Sequence, residues 1–195
     1  MWMSFASLQR FEEAVETIAE RVARVRAALE RRQVPYEVIG GVAVAAWVVQ
    51  ADPEAVRATR DVDLVIRRSD LQRAREAIEE AGFSFRQVLG IPMFLDKEKP
   101  SVRGGVHLVF ANEKVRPEYA HPVPALSEEP ARSREGFRIA PLESLVRMKL
   151  TSFRDRDRVH LRDLLEVDLI SPEIEGSLPS DLRERLEQLK ETPDG

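Results

Sequence analysis

Apolar residues recur every three or four positions from Phe5 to Leu29, which predicts a long amphipathic helix. Val34-Pro35 ends this pattern. The short apolar run from Tyr36 to Ile39 predicts a strand, and it leads directly into Gly40-Gly41. The stretch behind the two glycines, Val42 to Val49, is almost entirely apolar and predicts a buried helix. The pattern therefore gives a helix, a strand, a tight turn and a buried helix, in that order.

A second strand is predicted from Asp61 to Arg67, where Leu64-Val65-Ile66 has the strongest β character of the sequence. Beyond it, the pattern predicts a helix ending near Ala81-Gly82, a hairpin of strands Phe83 to Leu89 and Pro92 to Leu95, and a strand Val102 to Phe110. A long Pro-rich connection from Val115 to Ser133, with room for one short strand, leads to a strand Phe137 to Ile139. The last predicted elements are the helices Leu142 to Phe153, Arg156 to Val167 and Ser180 to Leu189. This order predicts an α/β or α+β fold with a mixed sheet. We expect residues 1–140 to form an α/β core with its N-terminal helix, and residues 141–195 to form a helical part packed on that core.

Composition narrows the possible functions. Of the 195 residues, 43% are hydrophobic and 33% are charged, which is typical of a globular protein. The sequence has no cysteine, so disulfides, thiol catalysis and thiolate zinc sites are excluded, and three histidines are few for a His-rich metal site. No apolar run approaches the roughly 20 residues of a membrane helix. With no signal peptide pattern at the N-terminus, we expect a cytoplasmic protein without membrane contact. The net charge of −4 argues against non-specific coating of nucleic acid.

Two carboxylates lie on the second predicted strand. Asp61 and Asp63 flank Val62, so the alternation of a strand places both acids on one face. Two close carboxylates repel each other unless a cation lies between them, and a divalent metal is the usual cation. A simpler alternative is a pair of strand-edge carboxylates neutralised by Arg60 and Arg67. The unusual pair of acids on an apolar strand favours the metal site.

These segments resemble a known family. G-G-V-A-V-A-A-W (from Gly40), followed by R-A-T-R-D-V-D-L (from Arg57), resembles the nucleotidyltransferase superfamily of the polymerase-β type. Within it, the sequence is most similar to the abortive-infection and toxin–antitoxin branch. The later segment L-E-S-L-V-R-M-K-L-T-S-F-R-D-R-D-R-V-H-L-R-D-L-L (from Leu142) resembles the same branch, whose members carry a helical lysine before an Arg- and Asp-rich stretch. The resemblance covers about Tyr36 to Glu166.

The resemblance implies a nucleotidyltransferase-like core, Mg²⁺ or Mn²⁺ as the metal, and a nucleoside triphosphate (NTP) as substrate. Attack on its α-phosphate would move a nucleoside monophosphate to an acceptor, either a tRNA end or a protein side chain, and an antitoxin partner would be expected. The metal ligands would be Asp61 and Asp63. The nucleotide-binding residues would be Gly40, Gly41, Thr59, Lys149 and Arg156. Lys149 could alternatively be a solvated helix residue, and the glycines an ordinary strand–helix turn.

The third carboxylate of the family is missing from its expected position. The strand V-H-L-V-F places His107 where relatives carry an acid, and imidazole can bind a metal or act as a base. Asp96 and Glu113 are candidate replacements outside the expected strand. Later in the chain, Asp157, His160 and Asp163 compete for the acidic positions of the second motif. His160 and Asp163 fit the helical spacing best, and we assign a catalytic role to Asp163.

The missing acid leaves a second function open. A nucleotidyltransferase-like fold that has lost catalysis would bind a nucleotide or a partner without turnover. A third hypothesis is an interaction protein without a nucleotide site.

Overall fold

The computed structural model describes residues 5–55, 57, 59, 61–88, 90–100 and 104–192, and the side chains of the first helix from residue 18 onward. These residues form helices α1 (Phe5–Arg31), α2 (Gly40–Ala51), α3 (Leu71–Glu80), α4 (Leu142–Ser152), α5 (Asp155–Glu166), α6 (Pro172–Ser177) and α7 (Ser180–Glu191). The strands are β1 (Tyr36–Ile39), β2 (Val62–Ile66), β3 (Phe83–Val88), β4 (Ile91–Asp96), β5 (Val106–Phe110), β6 (Ala131–Arg132) and β7 (Arg138–Ile139). The mixed α/β fold predicted from the sequence is confirmed.

The seven strands form one mixed sheet in the order β3-β4-β5-β2-β1-β7-β6. β2 is central: it pairs antiparallel with β1 and parallel with β5. The predicted hairpin is present as β3 and β4, which are antiparallel around a turn where Gly90 has a φ of +80°. The register of β2 and β5 places Asp63 directly beside His107. The sheet therefore brings together residues that are far apart in the sequence.

β5 is shorter than the predicted strand Val102 to Phe110. It begins at Val106, and residues 101–103 lie outside the described part of the chain. Its burial alternates: Val106, Leu108 and Phe110 are buried, whereas His107 and Val109 are half-buried on the opposite face. This alternation fixes which face of the sheet carries the functional side chains, because a shift by one residue would bury His107.

The C-terminal helices share the core of the sheet. Leu145 of α4, Leu161 of α5 and Leu186 of α7 are fully buried, and they belong to the same hydrophobic cluster as Leu64 of β2. α6 was not predicted; it is short, begins with Pro172, and is capped by the Ser171 side chain. One continuous core thus extends across position 140. None of the helices within the described ranges is long and apolar enough to cross a membrane.

Candidate active site

A cleft with a volume of about 280 Å³ lies between the sheet and helices α4 and α5. Every residue assigned to the site from the sequence, except Asp163, lines this cleft: Gly40, Gly41, Thr59, Asp61, Asp63, His107, Lys149 and Arg156. Arg154, Asp157 and His160 line it as well. Strand ends, the start of α2, and helices α4 and α5 therefore converge on one cleft.

The Gly-Gly turn approaches the carboxylates closely. Gly40 has a φ of +69°, in the left-handed region, and a Cβ there would lie 2.0 Å from Asp63 Oδ2. At Gly41, a Cβ would lie 2.7 Å from Thr59 Oγ1. Both positions therefore require glycine. α2 begins at this turn behind Ile39, whose apolar side chain cannot cap the helix, so the first N–H groups of α2 are available to an anion.

Asp63 is paired with His107. His107 Nδ1 lies 3.0 Å from Asp63 Oδ1, as expected for neighbours in the parallel register of β2 and β5. This hydrogen bond is the main reason why the pKa of His107 is raised, and the charges of Asp63 and Asp61 act in the same direction, against the effect of burial. His107 therefore faces the aspartates and does not point into the core.

The carboxylate of Asp61 is held more weakly by hydrogen bonds than that of Asp63. Its Oδ2 accepts a long hydrogen bond of 3.5 Å from Arg156, whose side chain is 73% exposed. Its Oδ1 is buried and has no hydrogen-bond partner among the described residues. Within the described ranges, neither aspartate is paired with Arg67, and Arg60 lies outside the described residues.

Lys149 is not a solvated helix residue. It is 6% exposed, and its Nζ donates a 3.0 Å hydrogen bond to Asp157, which is 1% exposed. Ser152 and Arg154 also donate to Asp157, at 2.7 and 2.8 Å. Burial would raise the pKa of Asp157, but the hydrogen bond from Arg154 and the charge of Lys149 outweigh it and hold that pKa well below its usual range. Asp157 therefore anchors two cations at the edge of the cleft.

His160 lies beside the Gly-Gly turn. Its Cε1 would be 3.4 Å from a Cβ at Gly41, and its Nδ1 is buried without a partner in the described part of the chain. Burial, followed by the charge of Lys149, lowers the pKa of His160 to about 4. The imidazole is therefore neutral at pH 7.

Asp163 does not reach the cleft. It is 5% exposed and accepts a 2.6 Å hydrogen bond from Arg57. The helical spacing that suggested Asp163 places it six residues beyond Asp157, about 9 Å further along the axis. Asp157 and His160 occupy the cleft instead. The signal that could have identified Asp157 is its N3 position in α5, where its carboxylate also accepts from the backbone N–H of the N-cap residue Arg154.

The other candidate carboxylates are engaged elsewhere. Asp96 forms an ion pair with Arg24 of α1, and Glu113 forms a bidentate pair with Arg68 at 2.6 and 2.5 Å. His107 lines the cleft, whereas Asp96 and Glu113 are not among its lining residues within the described ranges.

The residues present fit a divalent metal with two protein ligands. Within the described ranges, no three histidine, aspartate or glutamate side chains are arranged to hold a metal ion together. Asp61 and Asp63 nevertheless line the same cleft, and Asp61 Oδ1 has no hydrogen-bond partner among the described residues. Mg²⁺ is commonly held by one or two carboxylates together with substrate phosphates and water. Asp61 and Asp63 match this ligand set.

Residues 5–190 match the model of a protein family described as uncharacterised nucleotidyltransferases. The chain belongs to this family. The superfamily indicated by the Gly-Gly and Asp-x-Asp motifs is therefore confirmed. No match was found among curated proteins.

A solved nucleotidyltransferase-like structure shares the fold. An antigenic nucleotidyltransferase-like protein from Paracoccidioides brasiliensis is 16% identical, with 89% of this chain and 88% of that chain covered and a TM-score of 0.54. The antibiotic-resistance factor ANT(2'')-Ia is 13% identical, with 91% and 85% covered and a TM-score of 0.49. At 16% identity, the likeness to the Paracoccidioides protein is one of fold.

Proposed function

We propose that this protein transfers a nucleoside monophosphate from an NTP to an acceptor hydroxyl, with the help of Mg²⁺ or Mn²⁺. The observation that carries the proposal is the convergence of Asp61, Asp63 and His107 with Lys149 on the cleft beside the Gly-Gly turn. Cations and carboxylates that share one surface match a substrate made of a metal and a triphosphate.

The phosphate chain would lie along the positive edge of the cleft. The free N–H groups of α2 and the side chains of Lys149, Arg154 and Arg156 would bind the non-bridging oxygens and stabilise the leaving pyrophosphate. Asp157 keeps Lys149 and Arg154 in place. Asp61 and Asp63 would hold the metal, which when bound supplies positive charge to the reacting phosphoryl oxygens.

His107 would take the place of the third carboxylate. Its Nδ1 is engaged by Asp63, which orients the ring. The other ring nitrogen, Nε2, would accept the proton of the acceptor hydroxyl as that oxygen attacks the α-phosphorus. In that step the bond from the α-phosphorus to the bridging oxygen breaks, and pyrophosphate leaves.

The acceptor and the biological role are proposed from the resemblance to the toxin–antitoxin branch. The acceptor would be a tRNA end or a protein side chain, and a cognate antitoxin would silence the activity. Expression in bacteria should then arrest growth, and co-expression of a neighbouring gene should relieve the arrest. Growth unaffected by expression would contradict the toxin role without contradicting nucleotidyl transfer.

The enzymatic proposal is tested by labelling with α-³²P-NTP in a cell extract with Mg²⁺ or Mn²⁺. Asp61→Asn and Asp63→Asn should each reduce labelling by about a hundredfold or more, because a metal ligand is lost. Asp155→Asn is the matched control, since its side chain is fully exposed on α5. Absence of labelling by the wild type with all four NTPs would count against transfer.

The missing third acid favours one alternative, a protein that binds a nucleotide without turning it over. Calorimetry distinguishes the two functions. Metal-dependent NTP binding by a wild type that labels nothing would support the alternative, whereas binding together with labelling would support the transferase.

A further inference from the structure

One side of the cleft is apolar. Ile91 at the start of β4, Val109 of β5, and Val115 and Tyr119 of the connection after β5 line it, and we call these four residues the apolar wall. Ile91 and Val115 are 39% and 43% exposed. Among the described residues, the large hydrophobic side chains classed as exposed are these two and Val159, which lies outside the cleft. Exposed apolar groups therefore concentrate at the cleft.

The wall continues the face of the sheet that carries the aspartates. Val109 lies two residues beyond His107 on β5, so its side chain is on the same face, roughly 6.6 Å further along the strand. Ile91 lies two residues before Met93, which pairs with His107. The wall thus begins next to the pair of His107 and Met93 along the two strands.

The connection that carries Val115 and Tyr119 is fixed at its base. Backbone hydrogen bonds of 2.9 Å join Asn112 N to Val123 O and Val123 N to Glu113 O. His121 of the same connection lies 2.9 Å from an oxygen of Asp181 in α7. These contacts hold the segment against the cleft, so the exposure of Val115 belongs to a preformed surface.

We propose that the apolar wall is the nucleobase subsite of the NTP, a proposal that rests on the proposed function. An NTP has one highly charged end and one flat, weakly polar end. The cleft offers a surface for each end: the cations Lys149, Arg154 and Arg156 line it, and so do the four residues of the wall. A base placed there would cover Ile91 and Val115.

The wall would bind the base through the area of apolar contact, because the charged side chains nearby already have partners. The charged side chains beside it are already paired, His121 with Asp181 and Arg116 with Glu118 at 3.8 Å. The larger purine rings therefore remove more apolar surface from water than pyrimidines do. We expect purine nucleotides to bind more tightly than pyrimidine nucleotides.

Calorimetry with α,β-methylene-ATP, which cannot release pyrophosphate, tests the subsite in the presence of Mg²⁺. The double variant Ile91→Ser with Val115→Ser should bind this analogue roughly tenfold more weakly than the wild type, because it loses apolar contact with the base. Tripolyphosphate, which has no base, should bind the double variant and the wild type equally. Val159→Ser is the matched control and should leave both affinities unchanged, since Val159 is 38% exposed outside the cleft.

The outcomes separate the two proposals. If the wild type binds neither the ATP analogue nor tripolyphosphate, the proposed function fails and the subsite fails with it. If the wild type binds the analogue and the double variant binds it equally well, the subsite alone is overturned, and a loss of transfer in that variant would assign the wall to the acceptor. Equal or reversed affinities for the purine and pyrimidine analogues would also overturn the subsite.

Discussion

Two constraints require a glycine at position 40. Its φ of +69° strains any other residue, and a Cβ would collide with Asp63 Oδ2. Gly40→Ala should therefore lower the free energy of unfolding by about 3 kcal/mol and displace Asp63. Urea unfolding and the labelling assay measure the two effects.

Gly90→Ala is the control for the backbone alone. Gly90 has a φ of +80°, but a Cβ there would meet nothing within 4 Å. This variant should lose only about 1 kcal/mol and keep full activity. Equal losses in the two variants would contradict a steric role for Asp63.

His160 should stay neutral through most of the acidic range. Its pKa is lowered to about 4 from an ordinary value of 6.5, mainly by burial. Because the unfolded chain takes up the proton first, the contribution of His160 to stability is present above pH 6.5 and is lost as the pH falls towards 4. An NMR titration of the His160 Cε1 proton should show a midpoint near 4. A midpoint near 6.5 would contradict the burial of the ring.

At the site, the residues easiest to predict from the sequence were those whose motifs lie close together along the chain. Gly40, Gly41, Asp61 and Asp63 lie within one strand–turn–helix–strand unit, and alternation alone places the aspartates together. His107 was found only through its expected position on a later strand. Asp163 was preferred to Asp157 because helical spacing fixes a face but does not reveal where along the helix the cleft ends.

At the scale of elements, α5 depends on one buried carboxylate. Asp157 joins Lys149 of α4 to the first turn of α5, and Ser152 and Arg154 donate to it as well. Asp157→Asn should lower the free energy of unfolding by about 3 kcal/mol, because it leaves Lys149 buried without a countercharge. Thermal unfolding at pH 7 measures the loss.

Asp155→Asn provides the comparison on the same helical turn. Asp155 is fully exposed, and its contact with Arg158 is 3.4 Å long, so the loss should be below about 0.5 kcal/mol. The difference between the variants should shrink as the pH falls, because the depressed pKa of Asp157 contributes stability above the ordinary pKa of 3.8 that is lost towards acid. A constant difference would contradict the charged form of Asp157.

Periodicity predicted the long elements well and the short ones poorly. α2, the hairpin of β3 and β4, and α4 follow from clear apolar patterns. α6 has only six residues, which is too short to establish a period, whereas the one short strand expected between Val115 and Ser133 is present as β6. The N-terminal limit of β5 was also missed, because the bend at Gly104-Gly105 was included in the strand.

At the scale of the molecule, the C-terminal helices and the sheet share one hydrophobic cluster. Leu186 of α7 and Leu64 of β2 both belong to it and are almost fully buried. We therefore expect a single unfolding transition, with Trp47 fluorescence and far-UV circular dichroism changing together. Leu186→Ala should lower stability by about 3 kcal/mol in both signals.

Gln188→Ala is the matched control, because Gln188 is exposed on the same helix. It should change stability by less than about 0.5 kcal/mol. Two separate transitions in the wild type, or a Leu186→Ala effect confined to the helical signal, would show that residues 141–195 unfold independently.

The pairing of Asp63 with His107 depends on the same strand alternation that forms the core, so the site and the fold are inherited together. The same alternation that buries Val106, Leu108 and Phe110 presents His107 to Asp63. An insertion or deletion within β5 would exchange the two faces, so it would damage the core and the site in one event. Natural selection for a folded protein would therefore purge such changes even in lineages that no longer need the reaction. The arrangement of Asp63 and His107 would therefore persist in proteins that no longer carry out the reaction.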